Sequence, residues 1–225
     1  MSYTLADLRA LVRQRADMEN SDFVSTTEVD NYINDSYEEL WDLLVATYGS
    51  EYFVQVACGT TTADCSAMDL PEDFYKLVAV FWDRSSTDKP KLRPFAFGDW
   101  AYDPSARWDN CTPRYRLAAN SLIFDPKPAT EESMELWYVP QCERLTSTTS
   151  TLEVGARPWH EYIVIDAAIK CLMKEESDVS ALQAAKGGMI LRIQHAAPPR
   201  DVGEAPTIVD ARGADDEDYR ADGGW

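Results

Sequence analysis

Residues 25–49 have the sequence STTEVDNYINDSYEELWDLLVATYG, which predicts one long amphipathic helix. Ser25 and Glu28 are spaced as a capping box, in which each side chain bonds to the backbone N–H of the other, and Gly49 is a typical residue just past a helix end. The apolar side chains recur at helical spacing: Val29, Ile33, Tyr37, Leu40, Trp41, Leu44, Val45 and Tyr48. A face this broad predicts contacts with two neighbouring elements rather than with one.

Two further helices are predicted from local signals on either side of the middle of the chain. Residues 4–18 carry leucines at helical spacing after Thr4, which is placed to form a second capping box with Asp7. Pro158 is at the first position of a segment that is apolar on nearly every side. A helix without a polar face belongs in the interior, so we expect this segment to be buried.

A fourth helix is predicted near the end of the chain. It follows Asp178 and ends before Pro198, since proline cannot continue a helix. The pair Gly187 and Gly188 lies in its middle, where each glycine costs about 1 kcal/mol relative to alanine. This cost predicts a kink or a very close neighbour at the pair.

Between residues 51 and 140 the apolar pattern changes from helical to alternating, and prolines, glycines and aromatic residues become more frequent. The run YRLAANSLIF predicts a hairpin that turns at Asn120 and Ser121. LPEDFY predicts a short helical turn entered through Pro71. Strands are predicted in the runs EYFVQVA, KLVAVFW and MELWYV.

These elements predict an α+β fold that is mainly a helical bundle, built from the N- and C-terminal helices, with a β-rich insertion and an extended C-terminal arm. The bundle comprises residues 1–50 and 157–197, the insertion residues 51–156, and the arm residues 198–225. The arm contains 3 basic and 8 acidic residues. It is too polar to build a core alone.

The chain is strongly acidic, with 39 Asp and Glu against 21 Lys and Arg and a net charge of -18. This charge disfavours a sequence-reading DNA-binding protein, because lysine and arginine contacts with phosphates supply most non-specific affinity. No stretch approaches the roughly 20 apolar residues that cross a bilayer, and the first residues do not have the pattern of a signal peptide. We expect a soluble protein made in the cytoplasm.

Motifs for catalysis, metal binding or phosphate binding are missing from the sequence. It has no GxxxxGK[ST], GxGxxG, GxSxG or HExxH motif, and His160 and His195 have no metal-ligand partners at suitable spacing. We therefore expect no cofactor and no metal, and favour an interaction protein over an enzyme. Five cysteines form no CxxC pair and are expected to be free thiols, although Cys58 and Cys65 flank a hairpin tip and could form a disulfide outside the cell.

The seven tryptophans fall into two groups by their surroundings. Four lie in apolar periods and are expected in the core: Trp41, Trp82, Trp137 and Trp159. Three lie in polar or Gly- and Pro-containing surroundings, which favours a partner-binding surface: Trp100, Trp108 and Trp225.

The order of these segments resembles the head-to-tail adaptor proteins of tailed bacteriophages, also called head-completion or connector proteins, especially those of short-tailed phages. The resemblance extends from about residue 4 to residue 197. Its signal is the order of the segments, none of which is a strict motif by itself. They are TLADLRALVRQRADMENSDFVSTTEVDNYINDSYEELWDLL, LPEDFYKL, LRPFAF, YRLAANSLIFDP, LWYVP and EYIVIDAAIKCLMKEESDVSALQAAK.

The resemblance implies a structural protein of the virion neck, made in the host bacterial cytoplasm. In such adaptors a helical bundle encloses a β-rich insertion, and twelve copies form a ring beneath the portal protein. The ring extends the DNA channel and offers a platform for tail proteins such as a nozzle or fibre-attachment protein. The expected partners are the portal, the tail proteins and further copies of the chain, with DNA passing through without sequence-specific binding and without membrane contact.

In such adaptors the C-terminal segment reaches out to bind the portal, which implies a role for the apolar and basic residues of the arm. The predicted partner-binding residues are Ile208, Val209, Asp210, Arg212, Tyr219, Arg220 and Trp225, together with Trp100 and Trp108. One alternative is an accessory tail or capsid-binding module that stays monomeric until assembly and forms no ring. Another is a nuclease or a peptidoglycan-acting enzyme, which is disfavoured because nothing in the sequence gathers carboxylates into a pocket.

Overall fold

The computed structural model describes residues 3–85, 87–96, 98 and 112–196. These residues contain four α-helices: α1 (Leu5–Arg15), α2 (Thr26–Tyr48), α3 (His160–Lys174) and α4 (Ser180–Ala196). They also contain seven strands: β1 (Gln55–Thr60), β2 (Ala67–Asp69), β3 (Phe74–Trp82), β4 (Arg93–Pro94), β5 (Arg114–Ala118), β6 (Ser121–Asp125) and β7 (Ser133–Pro140). Short 3₁₀ turns at Ser50–Phe53 and Arg157–Trp159 precede β1 and α3.

The strands form two sheets that share one apolar core. The first is antiparallel with the order β1-β7-β3, and the second has the order β2-β6-β5-β4, in which only the β4–β5 pair is parallel. Alternate residues of β7 point into the core between the sheets, as the period of a strand requires. This core contains Leu70, Val80, Trp82, Leu92, Leu122, Phe124, Met134, Leu136 and Tyr138.

The prediction of a mainly helical bundle is wrong. The two sheets have an apolar core of their own, so the described residues form a β-rich α+β fold. The sequence pattern underestimated the sheets because β2 and β4 have only 3 and 2 residues, too few to show an alternation. The proposed boundaries of the four chain segments stay predictions.

The predicted starts of the first two helices are confirmed, whereas Pro158 lies in the 3₁₀ turn before α3, which begins at His160. Thr4 and Asp7 form a capping box at α1, and Ser25 and Glu28 form one at α2. Each box satisfies backbone N–H groups that the first turn of a helix leaves without partners. Gly49 follows α2 with a φ of 90°, a backbone conformation that favours glycine, and it turns the chain toward the sheets.

The helical core is centred on α3, as its uniformly apolar sequence predicted. Every residue from Tyr162 to Ile169 is buried. The buried side chain of Asn34 in α2 attaches the connector between β7 and α3 to this core. Its Oδ1 accepts from Leu145 N at 2.7 Å, and its Nδ2 donates to Leu145 O at 3.1 Å.

The α2 helix contacts both the helical core and the outer face of the first sheet, which confirms the prediction from its broad apolar face. Leu40 and Leu44 are fully buried in the helical core. Trp41 packs with Val139 of β7, and its Nε1 donates to Pro140 O at 3.2 Å. Burial of an indole requires an acceptor for its N–H, so this bond fixes α2 against the end of β7.

Two predicted boundaries in the β-rich region are wrong. The strand expected from Glu51 begins at Gln55, because Phe53 turns back to stack on Tyr48 with ring centroids 5.8 Å apart. The helical turn expected at LPEDFY is a tight turn, in which Phe74 N donates to Pro71 O at 3.1 Å as β3 begins.

The hairpin predicted in YRLAANSLIF is present, and its turn lies one residue earlier than expected. Ala118 pairs with Ser121, so Ala119 and Asn120 form the turn. Ala119 has a φ of 49°, as a tight hairpin turn requires.

The surroundings of individual residues test three further predictions. The close neighbour expected at Gly187 and Gly188 is absent, because α4 continues through both and an added Cβ would meet no described atom within 4 Å. Trp137 is 36% exposed rather than part of the core, because it lies on the face of β7 opposite Leu136 and Tyr138, which enter the core. Cys58 and Cys65 are exposed free thiols.

Gly155 lies where the connector before α3 crosses the aromatic side chains below α2. A Cβ on this residue would lie 2.6 Å from Cε1 of Phe53, which is closer than any relaxed contact. Phe53 in turn packs against Trp41 with ring centroids 4.6 Å apart. Only glycine therefore allows the connector to lie this close to the Phe53 ring.

Gly155→Ala is expected to lower the free energy of unfolding by about 1–3 kcal/mol, the usual cost of adding a methyl group to a packed site. The physical reason is that the Phe53 ring must move away from Trp41. The measurement is chemical denaturation followed by circular dichroism.

The matched control is Gly188→Ala in α4, where the added methyl group has open space. Alanine favours a helix over glycine by about 1 kcal/mol, so this variant should be as stable as the parent or more stable. Equal losses in the two variants would contradict a packing requirement at Gly155.

Candidate partner-binding site

All of the predicted partner-binding residues lie outside the residues that the structure describes. They are Ile208, Val209, Asp210, Arg212, Tyr219, Arg220, Trp225, Trp100 and Trp108, and their role stays a prediction. The described part of the chain ends in α4 at Ala196, so α4 is the element that precedes the predicted arm. How α4 is held therefore decides where the arm begins.

One side of α4 packs on the helical core. Ile193 is fully buried there, and Leu182, Met189 and Ile190 are partly buried. The guanidinium of Arg192 lies over the Trp159 ring, 5.7 Å from its centroid. Leu191 is 58% exposed on the opposite side. Apolar contact alone thus covers only part of the helix.

A cluster of four charged side chains joins α4 to α2 and α3. Lys186 Nζ of α4 lies 2.6 Å from Asp166 Oδ1 and 3.0 Å from Glu39 Oε2. Lys170 Nζ lies 2.9 Å from Asp166 Oδ2 and 2.9 Å from Glu39 Oε1. The two lysines and two carboxylates, which we call the four-charge cluster, are electrically balanced.

Because the cluster is partly buried, removing one of its charges should cost more stability than removing a charge from a surface ion pair. The side chain of Asp166 is only 4% exposed, and burial by itself raises its pKa. Hydrogen bonds from Lys186 and Lys170 outweigh burial, so the pKa of Asp166 stays below its ordinary value. Burial alone would lower the pKa of Lys186, but its bonds to Asp166 and Glu39 raise it instead. All four groups are charged at neutral pH.

Sequence reasoning missed the four-charge cluster. The spacing of Asp166 and Lys170, four residues apart on one helix, was the only local signal. Glu39 lies far away in the sequence and cannot be connected to them without the fold.

Asp166→Asn should lower the free energy of unfolding by roughly 2–4 kcal/mol, because it leaves two partly buried lysines with one carboxylate. The measurement is denaturant unfolding at neutral pH. The matched control is Asp64→Asn, which removes a 2.9 Å ion pair with Lys127 between two exposed side chains. That change should cost under about 0.5 kcal/mol, and equal losses would contradict a special role for the cluster.

The effect of Asp166→Asn on the free energy of unfolding should also depend on pH. Asp166 and Glu39 both have a folded-state pKa below the ordinary value. Their contribution is therefore complete above the ordinary carboxyl pKa of about 4, and it is lost as the pH falls through the lowered folded values. The difference in stability between parent and Asp166→Asn should shrink as the pH falls below about 4. A difference that does not change with pH would contradict this origin.

A groove lies along the contact between α2, the end of β7 and the connector before α3. We call it the seam groove; its volume is about 760 Å³. Its lining residues are Trp41, Tyr52, Phe53, Val54, Gln55, Glu72, Asp73, Pro140, Gln141, Cys142, Glu143, Glu153, Val154 and Gly155. Burial raises the pKa of the Cys142 thiol to about 12, so the thiol is protonated at neutral pH. The described lining includes no histidine, serine or lysine that could activate it.

The two histidines lie in different surroundings. His160 stacks on Tyr3 with ring centroids 3.8 Å apart, and its Nδ1 lies 3.3 Å from Arg157 O. His195 is exposed near the end of α4. Within the described ranges, no group of three or more His, Cys, Asp or Glu side chains is placed to hold a metal ion. None of the described helices combines the length and apolar character needed to span a membrane.

Comparison with known protein families supplies the class of protein. Residues 3–209 match the family model described as SU10 adaptor protein, a family of structural phage adaptors. The match includes every described residue and nearly the whole chain, and the chain therefore belongs to the SU10 adaptor protein family. This confirms the resemblance to phage head-to-tail adaptors. A comparison with curated proteins found no match.

Membership sets the general role of the molecule. It is a phage structural adaptor of the virion neck, a class that interacts with portal and tail proteins in general. The membership supports a structural role over an enzymatic one.

Proposed function

We propose that several copies of this adaptor form a ring under the portal. The resemblance to phage head-to-tail adaptors implies twelve copies. The ring joins the capsid to the tail and extends the channel through which DNA passes. Membership in the SU10 adaptor protein family supports this proposal, because a connector between portal and tail must bind both. The net charge of -18 agrees with a channel wall that repels DNA phosphates and so does not retain DNA.

We propose further that the arm, residues 198–225, binds the portal. The observation that carries this is the extent of the family match, which continues beyond Ala196 at the end of α4 as far as Val209. Ile208 and Val209 are thus within the part shared with the family, whereas Tyr219 and Trp225 lie beyond it. The four-charge cluster supports the arm proposal because it fixes the helix from which the arm extends.

Repetition explains how a weak arm could form a durable joint. Polar segments that cannot build a core alone bind weakly for their contact area, and we expect the same of each single arm. In a closed ring, every additional arm binds at the high effective concentration created by the arms already attached. Attachment of the whole ring is then much stronger than that of one copy.

Two truncations test the arm. Deletion of residues 198–225 should abolish association with the cognate portal protein, while the melting temperature of the body stays nearly unchanged. Deletion of residues 210–225 alone should retain part of the association, because Ile208 and Val209 remain. Mass photometry of each variant mixed with the portal measures the bound copies, and the full chain should bind one copy per portal subunit.

Point variants separate contact from chain length. The double change Ile208→Ala and Val209→Ala should weaken portal binding, whereas Thr207→Ser, next to them, should not. Undiminished binding of the chain lacking residues 198–225 would refute the arm. A complex with only a few copies per portal would instead favour an accessory module that forms no ring.

A further inference from the structure

The seam groove is longer than a single cavity. Beyond Trp41 and Cys142 it continues into a second cavity of about 410 Å³, and both residues line the two parts. The second cavity is also lined by Glu38, Asp42 and Tyr75. The combined depression follows the contact between α2 and the first sheet.

Aromatic and apolar side chains form part of the floor and rim of the groove, beside the polar residues of its lining. Trp41 and Phe53 pack against each other in the floor, with ring centroids 4.6 Å apart. On the rim, Tyr52 is 38% exposed, Tyr75 is 42% exposed and Val154 is 66% exposed. Exposed aromatic faces beside a concave floor are typical of surfaces that receive an anchor side chain.

The charges around this floor are nearly all negative. Six carboxylates line the two cavities: Glu38, Asp42, Glu72, Asp73, Glu143 and Glu153. The cation among the described lining residues is Arg144, which is already paired with Glu38 at 2.9 Å and with Asp35 at 3.5 Å. Within the described part of the chain, Glu72, Glu143 and Glu153 form no ion pair.

The walls of the groove are held in place by partly buried side-chain hydrogen bonds and by a backbone hydrogen bond. Tyr37 Oη accepts from Glu153 N at 3.0 Å, and Tyr138 Oη donates to Asp73 Oδ1 at 2.9 Å. Gln141 N donates to the backbone oxygen of Asp73 at 2.6 Å. The groove is therefore preformed, and a ligand would not have to order its walls.

We propose that the seam groove binds a basic segment of a partner protein, with lysine or arginine side chains on either side of one apolar anchor. The anchor would lie on Trp41 and Phe53. Guanidinium or ammonium groups would pair with the carboxylates and lie against the exposed rings of Tyr52 and Tyr75. This site is independent of the proposed ring and of the arm.

Charge argues for this occupant over two others. The chain's own arm has 8 acidic and 3 basic residues, so the carboxylates of the groove repel it. Nucleic acid is repelled for the same reason. A basic segment gains from the same field, which also accelerates its association.

The test uses the full chain and a synthetic peptide in which arginine alternates with leucine around one central tryptophan. Isothermal titration calorimetry should show saturable binding of one peptide per chain, weakened by added salt. The triple variant Glu72→Gln, Glu143→Gln and Glu153→Gln should bind the peptide at least about tenfold more weakly. Its melting temperature should stay near that of the parent, because the three side chains are exposed and have no ion pair to lose.

The matched control removes three exposed carboxylates from other surfaces: Glu19→Gln, Glu131→Gln and Glu176→Gln. It changes the net charge equally and should bind the peptide as the parent does. A peptide with glutamate in place of arginine should not bind. A peptide with serine in place of leucine and tryptophan should bind much more weakly, since it has no anchor.

Several outcomes would overturn the proposal. Equal weakening in the two triple variants would mean that only overall charge attracts the peptide. Tighter peptide binding after deletion of residues 198–225 would show that the arm occupies the groove. Self-association of the parent that the groove variant abolishes would assign the groove to a second copy of the chain. Failure of the arm truncations to affect portal binding would leave this test unchanged, so the two proposals can fail separately.

Discussion

The burial of α2 on two sides holds the described parts of the molecule together. Leu40 and Leu44 belong to the helical core, whereas Trp41 and Val45 pack on Val139 of the first sheet. The bond from the buried Trp41 indole to Pro140 O fixes the rotation of α2 against β7. The seam groove lies beside this contact and shares Trp41 and Pro140 with it. A substitution that shifted α2 would therefore change the helical core, the contact with the first sheet and the groove together.

The elements that could be predicted are those whose signals are local. Capping boxes, the broad face of α2 and the apolar sequence of α3 depend on residues a few positions apart, and the structure confirms them. Strand β4 has two residues and gains its identity only by pairing with β5. The weight of the sheets in the fold was underestimated for this reason. The exposure of Trp137 likewise depends on which parts of the outer face of β7 other elements cover, which no alternation reveals.

The charged features also divide into those that the sequence predicts and those that only the fold determines. Composition predicted an acidic molecule, but the fold decides where those charges lie. The charge of Asp166 is balanced by two lysines in the four-charge cluster. In contrast, Glu72, Glu143 and Glu153 from separate segments come together around one groove. Removing one member of the cluster is expected to be costly, because it would leave a partly buried charge without its partner. The groove carries an excess of negative charge, which is the basis for the proposed basic partner segment. The family role was accessible from segment order, since that order is a property of the sequence.

The arm and the seam groove differ in electrostatic preference, and this difference bears on assembly. Like charge disfavours binding of the acidic arm in the acidic groove, so the two proposed surfaces are expected to bind separate partners. In the proposed ring, the groove would recur once per copy. A basic segment that binds one groove weakly would bind a ring firmly if its own protein were also multimeric. Screening by salt weakens contacts between exposed charges most. Contacts at the groove should thus be more sensitive to ionic strength than arm contacts made through Ile208 and Val209, and a two-sided connector could form and keep its two joints under different conditions.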